Sequence, residues 1–436
     1  MNMLSLLYNS LLLITLPGAF FIYLWWIFVS HKSNESWREN LGGLPKFSER
    51  QTGKRLIWIH CASVGELTAS LPVQNELRRM LPEALILVTT ITQTGNAVAR
   101  RSAEHADAIA YFPLDYEFFV KRALSAVKPD VFVMVETEMW PNFLAATRKR
   151  HIPSVMINGK ISERSMSRYW KWLLEWAVSN IDFFGMQTDV DADRIRLLGA
   201  DHSTVKVLGN TKFDEEGCQL SDGMVRSLRQ ELGLPDDAQV VVAGSTNPGE
   251  DEPVLDAFIQ IRTRYPSMRL IVAPRQLERS DTIETMCISR GLIPARRTRK
   301  DNPYGEYDVM ILDTFGELAA IYAVGAVAFI GGTLIPKGGH NIIQPILQGK
   351  PVFFGQYTFK TKDIAQMAIY AGVGFIVKDS NELAESIISV MSDNRILAEI
   401  EVACRKLVSE NRGASVRCAE AIIRLMDLKL EGGSAS

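Results

Sequence analysis

The sequence lacks the signatures of several large protein classes. Its 436 residues contain neither a GxGxxG fingerprint after the first apolar run nor a GxxxxGK[ST] loop, which disfavours dinucleotide-dependent enzymes and P-loop NTPases. The five cysteines are scattered and show no CxxC spacing, so they indicate a reducing compartment and give no sign of a zinc site or disulfide framework. The formal net charge of −2 argues against a nucleic-acid-binding protein, which usually carries a basic excess.

Charged side chains are also missing from residues 1–31. About 20 apolar residues suffice to span a bilayer as a helix, so this segment predicts a membrane anchor. Lys32 and Arg38 follow it, which predicts that the rest of the chain lies on the cytoplasmic side of the inner membrane. Pro17-Gly18 leaves open a kinked helix or two short helices lying in the membrane interface, and a buried core helix is the remaining alternative. Aromatic residues typical of a membrane interface follow at Tyr23, Trp25 and Trp26.

After the anchor, short apolar runs alternate with helix-length amphipathic stretches, a pattern typical of βαβ units with a parallel sheet. The polar stretch Asn210–Gly223 interrupts the alternation and indicates a linker. We therefore expect a membrane anchor over 1–31, a first Rossmann-like domain over 32–214 and a second over 215–436. The predicted strands are Leu56–Cys61, Leu85–Thr90, Ala108–Phe112, Val131–Val135, Ser154–Ile157, Phe184–Gln187, Val240–Ala243, Leu270–Ala273, Val309–Leu312, Val327–Ile330, Val352–Phe354 and Phe375–Val377.

The fold class predicted from this order is α/β, with two doubly wound domains facing each other across a cleft. This GT-B architecture is common among glycosyltransferases that use nucleotide sugars. In such sheets ligands bind at the carboxyl ends of the strands, so the residues just after each strand are the candidates for function.

Acidic residues follow two strands of the first predicted domain. Glu66 stands where the first strand gives way to a helix and could accept a proton from a hydroxyl, or it could merely favour the positive end of the helix dipole. Glu136 and Glu138 follow a second strand, and one of them could simply cap the next helix. Lys212 lies at the end of the domain, where a lone lysine is usually a solvated surface group.

Turns rich in glycine and small residues follow four strands of the second predicted domain. Glycine lets the backbone approach a phosphate closely, and Arg275 adds a guanidinium suited to phosphate. One such turn is weak support for a nucleotide site, whereas four at successive strand ends are stronger. No residues with metal-ligand spacing accompany His340, so we expect no metal. The turns are Gly244–Glu250, Ala273–Arg275, Asp313–Leu318 and Gly331–Asn341.

In these motifs the chain resembles the family of Kdo (3-deoxy-D-manno-octulosonic acid) transferases of lipopolysaccharide biosynthesis, from the anchor to about residue 380. The motifs occur in the family's order, which makes the resemblance specific. They are His60–Glu66, Val88–Thr90 with Thr94-Gly95, Glu136–Asn142, Ser162–Ser165, Gly209–Asp214, Ala273–Arg275, Gly316–Leu318, Gly331-Gly332 and Gly338–Asn341.

The resemblance implies an inverting transfer of Kdo from CMP-Kdo to a lipid A precursor (lipid IVA), without metal or other cofactor. It implies that Glu66 is the general base and that Glu136 and Lys212 assist at the transition state. It also implies partners: CMP-Kdo, the lipid A precursor and inner-membrane lipids, but no nucleic acid. The residues that it places around CMP are Pro274, Arg275, Phe315, Gly316, Glu317, Asn341 and Gln344.

Two positions depart from the family pattern. Phe315 stands where the family usually has Met, which is an apolar exchange. Gln344 stands where the family usually has Glu, and a neutral amide accepts hydrogen bonds from ribose hydroxyls more weakly than a carboxylate. Two other hypotheses remain: a GT-B enzyme for another nucleotide sugar, such as a UDP-sugar transferase or 2-epimerase, and a catalytically silent nucleotide-binding protein at the membrane.

Overall fold

The computed structural model describes residues 4–15, 18, 34–47, 53–162, 166, 171–215, 220–235, 237–299 and 306–433. These residues form two compact units, one comprising Met1–Glu215 and Arg412–Ser436 and the other Glu216–Asn411. The expected second domain, 215–436, is therefore too long at its C-terminal end. Its final helix belongs to the first unit.

The first unit contains a seven-stranded parallel sheet with the strand order β3-β2-β1-β4-β5-β6-β7. Its central strands are continuous apolar runs, such as VFVMV in β4, and they are buried because helices cover both faces of the sheet. The strands are β1 (Leu56–His60), β2 (Leu85–Thr90), β3 (Ala108–Tyr111), β4 (Val131–Val135), β5 (Ser154–Gly159), β6 (Phe183–Met186) and β7 (Val205–Val207).

Eight described helices accompany this sheet along the chain, and a ninth, α17, joins them from the C-terminus. Trp58 and Phe132 are packed against Phe143 on one face of the sheet. The helices are α1 (residues 4–15), α2 (Asn34–Asn40), α3 (Val64–Met80), α4 (Gln93–Ser102), α5 (Glu117–Val127), α6 (Pro141–Lys149), α7 (Lys171–Val178), α8 (Asp189–Leu197) and α17 (Ala414–Gly433).

Helix α17 belongs to the first unit for a definite physical reason. Asp214 caps its N-terminus, because the carboxylate accepts hydrogen bonds from the backbone N–H groups of Gly413 and Ser415, each at 2.7 Å. Arg417 then donates to the carbonyl oxygen of Leu208 at 2.9 Å. Its apolar face completes the core on the α3 side of the sheet with Cys418, Ala419, Ile422 and Met426.

The second unit repeats the plan, with a parallel sheet of order β10-β11-β9-β8-β12-β13-β14. Its strands are β8 (Val240–Thr246), β9 (Arg269–Pro274), β10 (Pro294–Arg296), β11 (Val309–Ile311), β12 (Val327–Ile330), β13 (Val352–Phe354) and β14 (Gly374–Ile376). Its helices are α9 (Asp222–Glu231), α10 (Asp251–Arg264), α11 (Ser280–Ser289), α12 (Leu318–Val324), α13 (Ile343–Leu347), α14 (Lys362–Tyr370), α15 (Ser380–Met391) and α16 (Asn394–Asn411).

Only part of the expected membrane anchor is described, since residues 16–17 and 19–33 lie outside the described ranges. Among the residues that are described, no helix is long and apolar enough to cross a membrane. Helix α1 contacts the first unit through polar side chains: Tyr8 donates to Asp115 at 3.0 Å, and Asn9 exchanges hydrogen bonds of 2.9 and 3.1 Å with Asn142. Its exposed side chains include Leu6, Leu7, Leu11, Leu13 and Ile14.

Candidate functional site

Glu66 lies at the carboxyl edge of the first sheet, in the first turn of the helix that follows β1. Ser63 caps α3, and its hydroxyl accepts from the backbone N–H of Glu66 at 3.4 Å. The Glu66 carboxylate turns back toward the start of the helix, where it accepts from the backbone N–H of Ala62 at 2.6 Å and from the Ser63 hydroxyl at 3.2 Å. This reciprocal arrangement resembles a capping box, so the helix itself holds the carboxylate in place.

The surroundings of Glu66 raise its pKa to about 8. Burial is the largest cause, because a carboxylate loses hydration when only 9% of the residue remains exposed. The nearby carboxylates of Glu138 and Glu136 add repulsion, which outweighs the two hydrogen bonds that lower the pKa. A carboxyl group with such a pKa exchanges its proton near neutral pH, as a general acid or base must.

Glu136 and Lys212 form an ion pair in the same unit, with 2.8 Å between Lys212 Nζ and Glu136 Oε1. Both side chains are about four-fifths buried. Glu136 has a positive φ of 61°, a backbone conformation that is uncommon and costly for a residue with a Cβ and that is found in turns, helix caps and functional sites. Its N–H still pairs with the carbonyl of Ile157 at 3.0 Å, so the sheet holds the residue in this conformation.

Lys212 lies on a 3-10 turn, Thr211–Asp214, that several hydrogen bonds fix to the sheet and to α3. Asn158 accepts from the backbone N–H of Thr211 at 3.1 Å, and the Thr211 hydroxyl donates to the carbonyl of Ala69 at 2.6 Å. Asn210 accepts from the N–H of Lys212 at 3.0 Å. The lysine is therefore not the solvated surface group that a lone lysine usually is, since the backbone on both sides of it is anchored.

The residues expected around CMP lie along the carboxyl edge of the second sheet. Pro274 ends β9 and is buried, whereas Arg275 follows it and is exposed. Between β11 and α12, Phe315 is 51% exposed and Gly316 has a φ of 94°, which a side chain would strain. Glu317 precedes α12 and forms an ion pair with Arg297 at 2.9 Å.

Asn341 and Gln344 lie farther along the same edge, after β12. The side chain of Asn341 accepts from the backbone N–H of Ile343 at 2.9 Å and so fixes the start of α13. Gln344 is in the first turn of this helix and is half-buried. Strands β11, β9, β8 and β12 are consecutive neighbours in the sheet. The expected CMP contacts therefore belong to one continuous edge.

One glycine turn is used differently from the sequence expectation. The backbone N–H groups of Gly332, Thr333 and Leu334 are not available to a phosphate. The fully buried Glu250 carboxylate accepts a hydrogen bond from each of them, at 2.6, 2.9 and 3.0 Å. The same carboxylate accepts from the N–H of Asn247 at 3.0 Å. The anion bound by this part of the turn is therefore the side chain of Glu250.

Sequence reasoning missed Glu250, although a signal was present. Asn247-Pro248-Gly249-Glu250 has the spacing of a capping box, with a cap residue followed three positions later by Glu. It also missed the 3.0 Å hydrogen bond between Asn247 Nδ2 and His340 Nε2, which no local pattern encodes because 93 residues separate the two. Among the described residues, no group of three or more His, Cys, Asp or Glu could hold a metal ion.

Solved structures with similar folds support the architecture. The chain aligns with UDP-GlcNAc 2-epimerase from Neisseria meningitidis at a TM-score of 0.59 and 13% identity, over 85% of this chain and 99% of that one. A putative UDP-N-acetylglucosamine 2-epimerase from Listeria monocytogenes gives a TM-score of 0.61 and 12% identity, over 87% and 97%. At such identities the likeness concerns the fold alone, which is that of two parallel-sheet α/β domains as in GT-B enzymes.

Sequence relatives identify the family. A family model described as 3-deoxy-D-manno-octulosonic-acid transferase (kdotransferase) matches residues 35–215. The 3-deoxy-D-manno-octulosonic acid transferase of Haemophilus influenzae is 30% identical over 85% of this chain and 86% of its own length, and that of Aquifex aeolicus is 32% identical over 78% and 87%. A bifunctional glycosyltransferase/methyltransferase of Fusobacterium nucleatum is 34% identical over 79% of this chain, which spans 54% of its length. The chain therefore belongs to the Kdo transferase family, whose members are CMP-Kdo-dependent glycosyltransferases of lipopolysaccharide biosynthesis.

Proposed function

We propose that this protein transfers Kdo from CMP-Kdo to a sugar hydroxyl of a lipid A precursor, with inversion at the anomeric carbon. The observation that carries the proposal is Glu66, a buried carboxyl group whose pKa is raised to about 8 at the carboxyl edge of a parallel sheet. Such a group accepts a proton from an attacking hydroxyl near neutral pH. Family membership supplies the donor and the class of acceptor.

In the proposed reaction, the acceptor oxygen attacks the anomeric carbon of Kdo while its proton passes to Glu66. The bond between that carbon and the phosphate oxygen breaks, and CMP leaves with the electron pair. Glu136 and Lys212 assist at the transition state, and their 2.8 Å ion pair keeps the Lys212 ammonium in a fixed position. A charge that is already oriented needs no reorganisation during the reaction.

The second unit is proposed to bind the CMP part of the donor. Arg275 is the cation for the phosphate, because its guanidinium is always charged and is exposed at the end of β9. Pro274, Phe315, Gly316 and Glu317 are proposed to surround the nucleotide on one side of Arg275. Asn341 and Gln344 are proposed to contact it on the other side.

The direct test is incubation of the protein with a CMP-Kdo-generating system and a tetraacylated lipid A precursor. Mass spectrometry should show acceptor heavier by one or more Kdo units, also when EDTA is added together with the acceptor after the metal-dependent synthesis of CMP-Kdo is complete. The Glu66→Gln variant should give little product under the same conditions. Competition separates the rival enzymes: CMP should inhibit and UDP should not. Inhibition by UDP alone, with no Kdo product, would instead indicate a UDP-sugar enzyme.

We further propose that the N-terminal segment attaches the protein to inner-membrane lipids, with both units on the cytoplasmic side. Support comes from the uncharged residues 1–31, from Lys32 and Arg38 after them, and from the exposed leucines of α1. Flotation with liposomes tests this proposal. Replacement of Leu7, Leu11 and Ile14 by Ser should release part of the protein, and removal of residues 1–31 should release all of it.

A further inference from the structure

Hydrogen bonds join neighbouring loops at the carboxyl edge of the second sheet. The loop after β13 is attached to the loop after β12, because Tyr357 N–H donates to the Thr333 carbonyl at 2.9 Å and Lys360 N–H donates to the Gly338 carbonyl at 3.0 Å. His340, on the β12 loop, is joined to the loop after β8 by its hydrogen bond to Asn247. These hydrogen bonds fix the loops after β8, β12 and β13 relative to one another.

This arrangement holds a second cation beside His340, in addition to Arg275. Burial is the main reason that the pKa of His340 falls to about 4, and the positive charges of Arg275 and Lys360 lower it further. His340 is therefore neutral at pH 7. Phe359 and Lys360 both pack against Gly338, where an added Cβ would come within 2.5 Å of the Phe359 ring and within 2.7 Å of Lys360 Cγ. The glycine thus leaves room for both side chains beside the β12 loop.

We propose that Lys360 binds the carboxylate of the Kdo sugar, while Arg275 binds the phosphate. The inference rests on the proposed donor, CMP-Kdo, which is a sugar acid. In a 2-ulosonic acid the anomeric carbon carries both the phosphate oxygen and the carboxylate carbon, so the two anionic groups are close neighbours. Arg275 follows β9 and Lys360 follows β13, on either side of the β8 and β12 loops that the Asn247–His340 hydrogen bond joins, so two cations that both act on the neutral His340 are available for this pair. A nucleotide that carries no sugar acid has no carboxylate at this position and would need only one of the two cations.

The contact has a chemical consequence for specificity. A guanidinium matches both carboxylates and phosphates, whereas an ammonium acts as a point charge, so the assignment depends on position and not on side-chain type. Arg275 belongs to the residues proposed to surround CMP, which assigns it to the phosphate and leaves Lys360 to select for an acidic sugar. A hydrogen bond to a charged group contributes enough that its loss weakens donor binding by roughly tenfold to a hundredfold.

The experiment compares the KM for CMP-Kdo with the inhibition constant for CMP, which has no carboxylate. In Lys360→Met, the KM should rise roughly tenfold to a hundredfold, while the inhibition constant for CMP should change less than about twofold. Lys360→Arg should recover most of the affinity because it keeps the charge. Arg275→Met should weaken both the donor and CMP. Lys362→Met, an exposed lysine two positions later, should change neither constant.

Two results would overturn the inference while leaving the proposed function intact. Equal weakening of CMP and CMP-Kdo in Lys360→Met would place Lys360 at the nucleotide, and two unchanged constants would remove it from the donor site. Failure of the proposed function has a different signature: the unmodified protein would form no Kdo product and would not bind CMP. Circular dichroism of each folded variant excludes a general loss of structure as the cause.

Discussion

Glu66 and Glu250 occupy corresponding positions in the two units, yet their surroundings differ. Each follows the first strand of its sheet, each lies at the start of the next helix, and each is nearly or fully buried. Glu250 accepts four backbone hydrogen bonds from two loops, two on each carboxylate oxygen. Glu66 accepts only one backbone hydrogen bond and one from a serine, with two other carboxylates nearby.

The comparison shows how one sequence spacing, Ser or Asn followed three positions later by Glu, serves two purposes, although only Ser63 caps its helix through its side chain. Where the loops supply enough N–H donors, the carboxylate stabilises the fold and is unavailable for chemistry. Where donors are few and like charges are near, the carboxyl group retains its proton up to neutral pH and can exchange it. The number of hydrogen bonds and the sign of the neighbouring charges, rather than burial, distinguish the two.

The largest expected effect is on catalysis, through Glu66→Gln. Gln keeps the size of the side chain but cannot accept a proton, so kcat should fall roughly 10²–10⁴-fold, the usual contribution of a general base. CMP binding should stay close to that of the unmodified protein, because the proposed CMP residues belong to the other unit. Steady-state rates and CMP titration check both statements. A kcat within a few-fold of the original would remove Glu66 from the mechanism.

The substitution Glu250→Gln should instead lower the free energy of unfolding of the second unit. The amide oxygen can serve two of the four backbone N–H groups, and the other two would face an NH₂ group. Each buried donor left without an acceptor costs about 1–3 kcal/mol, so a loss of roughly 2–6 kcal/mol is expected in the second unit. Denaturant unfolding measures it, with the exposed neighbour Glu252→Gln as the control.

The tryptophans allow the two units to be followed separately in that experiment. All eight tryptophans precede residue 216, so their fluorescence reports on the first unit only, whereas circular dichroism reports on both. Glu250→Gln should move part of the dichroism transition to lower denaturant and leave the fluorescence transition in place. A fluorescence transition that shifts equally would mean that the units unfold together. Equal stability of the Glu250 and Glu252 variants would contradict the structural role of Glu250.

The third prediction concerns pH. The activity in kcat/KM should rise with pH along a limb centred near 8, because Glu66 must lose its proton to act as a base. Glu138→Gln removes one of the charges that raise the Glu66 pKa, so the limb should move to lower pH. The exposed Glu117→Gln should leave the limb in place. A limb that stays near 8 in Glu138→Gln would show that the repulsion is negligible beside burial.

The raised pKa of Glu66 also determines the direction in which the free energy of unfolding changes with pH. The folded protein holds a proton on Glu66 up to about pH 8, while the unfolded chain releases it near the ordinary pKa of a glutamic acid, 4.5. The unfolded state therefore binds fewer protons between these values, and the free energy of unfolding falls as pH rises through this window. Glu66→Gln should abolish this part of the decline. A fluorescence-detected unfolding series from pH 5 to 8 would contradict the pKa if both proteins lost equal stability.

The sequence was sufficient to predict every strand that is apolar and buried. All twelve predicted strands are present, with ends that agree or differ by at most three residues. The two strands it missed, β7 and β10, are three-residue edge strands, and Pro294-Ala295-Arg296 in β10 is only half-buried. Edge strands of this kind lack the apolar run by which a central strand is identified.

The candidate site was less predictable, because its properties depend on contacts distant in sequence. From the sequence, Glu66 and Glu136 were predicted to follow strands and Lys212 to lie beside the linker. The sequence could not show that Lys212 Nζ lies 2.8 Å from Glu136 Oε1, because the two residues are 76 positions apart. It could not show that Glu250 takes the amide groups of the Gly332 turn. Glycine spacing indicates a turn able to bind an anion, but it does not indicate which anion.

The smallest expected effect is at Gln344, where the chain departs from its family at a proposed ligand contact. If Gln344 faces the ribose, Gln344→Glu should lower the KM for CMP-Kdo by a factor that corresponds to about 1 kcal/mol, since hydrogen bonds to charged groups contribute about 1.5–3 kcal/mol and neutral ones roughly 0.5–1.5. The value of kcat should change little, because the contact is the same in the ground and transition states. Steady-state kinetics with varied CMP-Kdo measure both constants, and Gln366→Glu, at an exposed position of α14, is the control. A KM that stays the same or rises in Gln344→Glu would mean that the side chain does not contact the ribose, or that its surroundings favour a neutral amide. The second outcome would extend the comparison of the two glutamates, because a carboxylate is stabilising in this fold only where donors surround it.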